Sequence, residues 1–420
     1  MTSPPPRPRT VLFIVTSFWA LGELAIATEF AQRMAGTGFR PLFLVPPNHR
    51  RVVAEAGIDH QVMIPGGGKL NRIQLHDIAH VHRPALVVLA DFMNFDFCDR
   101  HYGLHRSDLA VFDCPIGTFD DFSWGRPGAW LDTYGFKAKY EVDITLEGLS
   151  FRLRPCPLNN PCEDAAADVH PYPLLEDLTD IPRTARTAVR RELGLPDGRP
   201  LVLVAGASWQ QQHVAYPRVT GFVRAWQAEL ERLLSGLLEH ADIVAVGPSI
   251  IFPDGAPDGF HQLGQLDPAR FRELSQAVDL HLSNNIISVS LHRLALGGIP
   301  SVTLVNSVAK QNGRLLAVPG LPEPTEAARR AVSDVDYLYP CRMFPVGWHH
   351  FLRSLLDGNP FGELVPQLEI FDRDATLATV VGMLGDGPDR DRQAQARESY
   401  LETLRKLPEV GTILRQVAGA

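Results

Sequence analysis

Thirty residues, Ala277 to Asn306 (AVDLHLSNNIISVSLHRLALGGIPSVTLVN), constrain the fold of this chain more than any other stretch. They read as a strand (Val278 to Leu282), a polar loop (Ser283, Asn284, Asn285), a helix from about Ser288 to Leu296, a Gly297-Gly298 stop and a second strand entered through Ile299-Pro300. Strand, loop, helix and strand in that order form one right-handed parallel crossover, which commits the surrounding chain to an open α/β sheet. The loop sets small polar side chains at a first helical turn, where backbone N–H groups lack partners and the macrodipole is positive. That chemistry suits an anion such as a diphosphate, and it is equally the ordinary chemistry of helix capping.

A matching unit opens the chain. Val11 to Thr16 is a continuous apolar run, as in a central parallel strand covered on both faces, although with Phe18 to Gly22 it also has the apolar character of a secretory signal core. The helical pattern that follows favours the strand: Leu24, Ala27, Phe30, Ala31 and Met34 fall on one face, Gly36 and Gly38 end the helix, and Arg40 to Val45 forms the next strand. The alternation continues through strands at Leu86 to Ala90, ending at Asp91, and at Leu109 to Phe112, ending at Asp113. Acids at the carboxyl ends of strands lie where open α/β sheets bind ligands. The loop FDDFSWGRPGAW, Phe119 to Trp130, is unusually aromatic and acidic, and suits either a pocket for a planar or sugar-like molecule or a loop packed on itself.

With 420 residues the chain has room for two cores. The Pro-rich, aperiodic stretch Cys156 to Asp180 reads as the connection between them, and Leu201 to Ala205 opens the second half. The expected layout is an N-terminal Rossmann-like domain (1–165), a linker and lead-in (166–195), a C-terminal Rossmann-like domain (196–390) and a final helix (391–420) able to pack back on the N-terminal domain. A net charge of −8 and a pI near 6.0 argue against nucleic acid as a main partner, since such a partner needs a concentrated basic surface. No run of eighteen apolar residues exists to span a membrane. Five cysteines without framework spacing point to reduced thiols and a cytoplasmic setting.

Three segments give the chain a family resemblance. VLFIVTSFWALGELAIATEFAQRM, RELGLPDGRPLVLVAGAS and LDPARFRELSQAVDLHLSNNIISVSLHRLALGGIPSV resemble, respectively, the opening strand, loop and helix, the lead-in to the donor domain, and the nucleotide-binding stretch of GT-B glycosyltransferases. The nearest kind is the nucleotide-sugar-dependent enzymes acting on natural products and cell-wall precursors. The resemblance implies two doubly wound Rossmann-like α/β domains facing across a cleft. It further implies a nucleotide diphosphate sugar as donor, a small-molecule acceptor and no metal, there being no Asp-x-Asp motif in a suitable loop. The expected state is monomer or homodimer.

Carried onto this chain, the resemblance places the donor diphosphate at Gly206, Ser208, Ser283, Asn284, Asn285, Ser288 and Arg293. It places the base or sugar at Gln265, Leu266, Lys310 and Gln311, and the acceptor at Trp19, Gly22, Asp121 and Trp124. The chain departs from the family at three points. Arg293 stands where relatives carry a ribose-binding Glu, Lys310 replaces an acid, and Glu23 replaces the His that deprotonates the acceptor. A carboxylate serves as general base when burial raises its pKa toward neutrality, so Glu23 with Asp91 forms the candidate catalytic pair; Glu23 is equally the acid favoured in a first helical turn. The replaced acids keep two alternatives open: other chemistry on the same fold, such as sugar-nucleotide epimerisation or non-glycosidic bond formation, and a catalytically silent partner of a transferase.

Overall fold

The structure is a computed structural model, and it describes residues 8–123, 131–132, 139–140, 148–162, 165–176, 178–196, 198–206, 220–248, 250–311, 313–317, 321, 323–335, 355 and 357–419. Seven parallel strands make the first sheet: β1 (Arg9–Ile14), β2 (Phe39–Val45), β3 (His60–Val62), β4 (Leu86–Leu89), β5 (Ile116–Phe119), β6 (Phe151–Cys156) and β7 (Val169–Pro173). Their spatial order is 3-2-1-4-5-6-7. Six parallel strands make the second: β8 (Leu201–Ala205), β9 (Asp242–Val246), β10 (Phe260–Leu263), β11 (Leu280–Ser283), β12 (Ser301–Val305) and β13 (Gln367–Glu369), in the order 10-9-8-11-12-13. Both sheets therefore reverse direction beside their first strand, between β1 and β4 and between β8 and β11. Those two switch points are where doubly wound sheets open a ligand crevice.

Both faces of each sheet are covered, which is why its strands read as unbroken apolar runs. In the second sheet Val202 and Val204 point into one buried cluster with Ile243 and Ala245, while Leu201 and Leu203 join Val244 in a cluster on the opposite face. In the first, helix α1 (Gly22–Gln32) follows β1 and buries Leu24, Ala27, Phe30 and Ala31, with Phe30 edge-on to Phe13 of β1. Helix α2 (Gly68–His82) ends at Arg83, whose backbone is left-handed, and helix α3 (Phe92–Phe97) starts at Asp91. Helix α4 (Thr220–Leu237) buries its apolar stripe from Phe222 to Leu237 in the second domain.

Helix α5 (Pro268–Ser275) leads into β11, and helix α6 (Val289–Leu296) leads out of it. Ile286, Leu291, Ala295 and Leu296, in and beside α6, belong to the same buried cluster as the first sheet. Helices α7 (Pro388–Leu404) and α8 (Val410–Val417) contribute Tyr400, Leu401, Leu404, Ile413 and Leu414 to that cluster too, and Arg9 donates to the Ala418 carbonyl (3.2 Å). Among the described residues no helix is long and apolar enough to cross a membrane, and the four described cysteines are free.

Two stretches differ from the sequence reading. Leu109 to Phe112 is no strand: Arg106–Val111 forms a 3-10 turn, opened by the Asp108 carboxylate accepting from the His105 N–H (2.8 Å), and the pairing segment lies after Pro115. Cys156 to Asp180 is not simply a linker, because Val169–Pro173 pairs in parallel with β6 as the edge strand of the first sheet, burying Val169 and Tyr172. Its two prolines are tolerated at that edge, where one side of the backbone needs no ladder partner.

Two buried histidines set an acid limit on the fold. His281, on β11, and His292, on α6, are wholly buried, and desolvation pushes each down to about 3. The unfolded chain protonates them near 6.5 and the native chain does not, so the stability they supply is full above that pH and lost progressively as pH falls toward 3. The expected outcome is that urea titrations show His281→Leu flattening the loss of stability between pH 6.5 and 4. An unchanged pH slope would contradict it.

Candidate active site

The first switch point gathers acids. β1 is followed by buried Val15, Thr16 and Ser17, the chain turns through exposed Phe18, and Glu23 stands in the first turn of α1. Gly22 is exposed, and a Cβ added there would meet nothing within 4 Å, so the helix start lies open. Across the switch, β4 delivers Asp91, which caps α3 by accepting from the N–H groups of Met93 (2.7 Å) and Asn94 (3.0 Å). Asn94 then donates its side-chain N–H to Glu23 Oε1 (2.6 Å), tying the two helix starts together. Asp121 follows β5 with its neighbour Asp120.

Burial and mutual repulsion set the protonation of this group. Glu23 is pushed up to about 7, first by desolvation and then by the charge of Asp91; hydrogen bonds from Asn94 and the Ser17 hydroxyl hold it back. Desolvation likewise pushes Asp91 up to about 6 against the two N–H groups that it caps. Asp121 lies well above the usual carboxylate range, through burial and then the charges of Asp91 and Glu23. Asp120, by contrast, is matched by Arg154 (3.3 Å) and Arg152 (3.8 Å). Sequence reasoning singled out Glu23, Asp91 and Asp121 but missed Asn94; the signal was its position three residues after a helix-capping Asp, which sets its side chain over the helix start.

Trp19 is half-buried, edge-on to Phe18 (4.9 Å between ring centroids), and Phe18 in turn stacks on His101 (4.3 Å). Trp124 and Ser208 lie outside the described residues, and of Gln311 only the backbone is described, at the end of a strand, Val308–Gln311.

At the second switch point Gly206 follows β8 and donates its N–H to Val246 O (2.9 Å). Its carbonyl is covered by Gly247, where a Cβ would stand 2.5 Å from Gly206 O and φ is +129°, so two backbones meet here as only glycine allows. After β11, the Ser283 side chain donates to Asn285 O (2.9 Å) and accepts from Asn285 N (3.1 Å), while Asn285 Oδ1 accepts from Ile287 N (3.1 Å). These buried side chains brace the loop. Asn284 is half-buried beside them. Ser288, at the N-cap of α6, bonds the Ser290 hydroxyl (3.1 Å) and makes no side-chain cap, so it leaves the N–H groups at the helix start without a side-chain partner from the cap position. Gln265 and Leu266 follow β10 at the sheet edge, Gln265 exposed and Leu266 half-buried.

Two expected phosphate or sugar contacts have other partners. Arg293 forms an ion pair with Glu29 of α1 across the domain boundary, so its charge is already matched. Lys310 donates to the carbonyls of Ser333 (3.0 Å) and Val335 (2.8 Å), which makes it a cap for the segment after the helix Glu326–Ala331. Both are long cationic side chains next to uncommitted acceptors, and sequence spacing cannot show that those acceptors lie nearer than a ligand would.

Residues 30–420 match the model of a family of unknown function, DUF6365. No curated protein matches the sequence. Among solved structures, the spinosyn forosaminyltransferase SpnP is 14% identical with a TM-score of 0.54, over 98% of this chain and 100% of that one. The spinosyn rhamnosyltransferase SpnG, complexed with thymidine diphosphate, is 12% identical with a TM-score of 0.51 over 97% and 99%. SpnG complexed with spinosyn aglycone gives 0.51 at 12% identity over 96% and 99%. Anabaena Alr3699/HepE in complex with UDP is 12% identical with a TM-score of 0.51 over 98% of each chain. At such identities the likeness establishes the fold: two Rossmann-like domains in the GT-B arrangement.

Removing the Asn94 donor tests the electrostatics of the acid cluster. Asn94→Leu is expected to move the Glu23 titration above about 7, because the lost hydrogen bond favoured the ionised form. Carboxyl-carbon NMR titration reads this directly, and a Glu23 pKa that stayed put or fell would contradict it.

Proposed function

The chain belongs to DUF6365, a family of unknown function, and on that premise we propose that it is a glycosyltransferase moving a sugar from a nucleotide diphosphate donor to a small acceptor. The observation that carries this reading is Glu23: a half-buried carboxylate held near neutrality at the open start of α1, in the domain opposite the braced α6 start. The similar structures include complexes with thymidine diphosphate, UDP and spinosyn aglycone, which supports a donor and an acceptor of these classes.

In this reading the uncapped N–H groups of α6 receive the diphosphate, beside Gly206 at the end of β8. Gln265 and Leu266 border the nucleoside. The acceptor lies over Gly22 with its hydroxyl on Glu23. Glu23 takes that proton as the acceptor oxygen bonds to the anomeric carbon; the bond from that carbon to the diphosphate oxygen breaks, and the electron pair leaves with the nucleoside diphosphate. One base acting on one face implies inversion. Asn94 and Asp91 position Glu23, the first by direct hydrogen bond and the second by charge. The developing charge on the diphosphate is met by fixed backbone dipoles, with no step assigned to a metal.

With a working donor and acceptor pair, kcat/KM should rise with pH and level off above about 7, because the base must be ionised. Glu23→Gln should cost roughly 10²- to 10⁴-fold in kcat. The thermal shift given by UDP or thymidine diphosphate should survive that substitution. Full turnover in Glu23→Gln would remove the residue from the chemistry, and donor consumed without acceptor would indicate epimerisation instead.

A further inference from the structure

Exposed aromatic rings are scarce in this molecule, and they gather in one place. Among the described residues only two Phe, Tyr or Trp side chains are exposed, Phe18 (40%) and Phe97 (55%), and each is one step from Glu23. Phe18 follows Ser17, whose hydroxyl donates to the Glu23 carboxylate. Phe97 lies three residues after Asn94, which donates to Glu23 Oε1 (2.6 Å), and residues so spaced on a helix are neighbours on one face. Leu21, 36% exposed, stands at the N-cap of α1, two residues before Glu23. Apolar side chains scattered singly over a surface need no explanation, but a set grouped about one polar group marks a contact surface.

Phe18 is also held still. One face of its ring stacks on His101, with centroids 4.3 Å apart and planes 24° from parallel, and Trp19 meets it edge-on at 4.9 Å. Its carbonyl accepts from the Asn48 side-chain N–H (2.8 Å). The support beneath is fixed in turn, because the His101 carbonyl accepts from the Gly66 N–H (2.8 Å) and the Tyr102 carbonyl from the Asn71 side chain (2.8 Å). A ring that only filled this region would turn its area inward, as Phe92 and Phe95 do on α3. Phe18 instead leaves its second face open while its position is already set, so little ordering entropy remains to be lost when a flat partner stacks there. An acceptor with hydroxyls on every side would lose water against Leu21 and Phe97 without gaining hydrogen bonds.

We propose that Phe18 selects the acceptor: the open face of its ring stacks on a planar aromatic ring of the acceptor, whose hydroxyl reaches Glu23, while Leu21 and Phe97 make apolar contact at its edges. This rests on the first domain being the acceptor half. Phe18 determines specificity and takes no part in the chemistry.

The test uses the full chain and a matched pair of probes, 2-naphthol and its saturated counterpart 2-decalol, titrated calorimetrically with and without UDP or thymidine diphosphate. 2-Naphthol should bind roughly 3- to 10-fold more tightly than 2-decalol. Phe18→Leu, which keeps an apolar side chain but loses the flat face, should erase that preference, and Phe18→Trp should keep it. Phe97→Ser should weaken the binding of both probes. Equal or tighter binding of 2-decalol, no binding of 2-naphthol, a preference that persists in Phe18→Leu, or affinities untouched by Phe97→Ser overturns the proposal. Loss of the preference in Phe18→Trp does so too, because the ring would then serve only to hold its own loop. Nucleotide binding without aromatic preference sinks this proposal alone; aromatic preference without nucleotide binding sinks the transferase reading and leaves the aromatic platform standing.

Discussion

The contact between α1 and α6 holds the two switch points in one frame. Each helix leaves a strand that borders a reversal of sheet order, and the residues around α6 share a buried apolar cluster with the first sheet. The Arg293–Glu29 ion pair fixes the register of that contact. A partly buried pair of this kind adds little net stability, but losing one partner leaves the other charged and desolvated, so it penalises misaligned domains more than it strengthens aligned ones. The same pair explains why Arg293 is a poor candidate for a phosphate ligand: its charge is already matched by Glu29.

Around that frame the two crevices are built oppositely. The second is braced internally, with Ser283 and Asn285 spending their side chains on the loop and leaving the start of α6 uncapped. In the first, among the described residues, the Thr16 hydroxyl and Asp121 Oδ1 are buried without a hydrogen-bond partner. An unpaired buried acid costs stability in the free protein, and such local deficits cluster where a ligand completes the network. The raised carboxyls and depressed histidines also act in opposite directions on the fold. The acids favour the native state below their unfolded pKa values and lose that contribution as pH rises toward 6 to 7, whereas the histidines lose theirs as pH falls.

Much of this was legible in the chain. Unbroken apolar runs such as Val11 to Thr16 and Leu201 to Ala205 read as strands covered on both faces once the helices alternating with them are taken into account, and that alternation points to a doubly wound sheet. The α6 crossover was readable because its apolar spacing, polar loop and Gly297-Gly298 stop agree with one another. Two stretches misled: Leu109 to Phe112 has strand composition yet forms the end of the 3-10 turn Arg106–Val111, and Val169 to Pro173 has the prolines of a linker yet sits at a sheet edge where they do no harm. The placement of Asp91 and Asp121 just after β4 and β5, and of Glu23 in the first turn of α1, was likewise readable. The fates of Arg293 and Lys310 were not, because they depend on Glu29 and on the Ser333 and Val335 carbonyls, whose proximity is a tertiary fact.

The central claim is that the second crevice grips a diphosphate through the backbone at the start of α6. Hydrogen–deuterium exchange of the full chain with and without a saturating nucleoside diphosphate measures those amides directly. The account predicts slowed exchange in the segment from Asn285 to Leu291 and around Gly206, with little change in β3 and α2. Protection confined to the first domain, or none at Asn285 to Leu291 although the nucleotide binds, would contradict it.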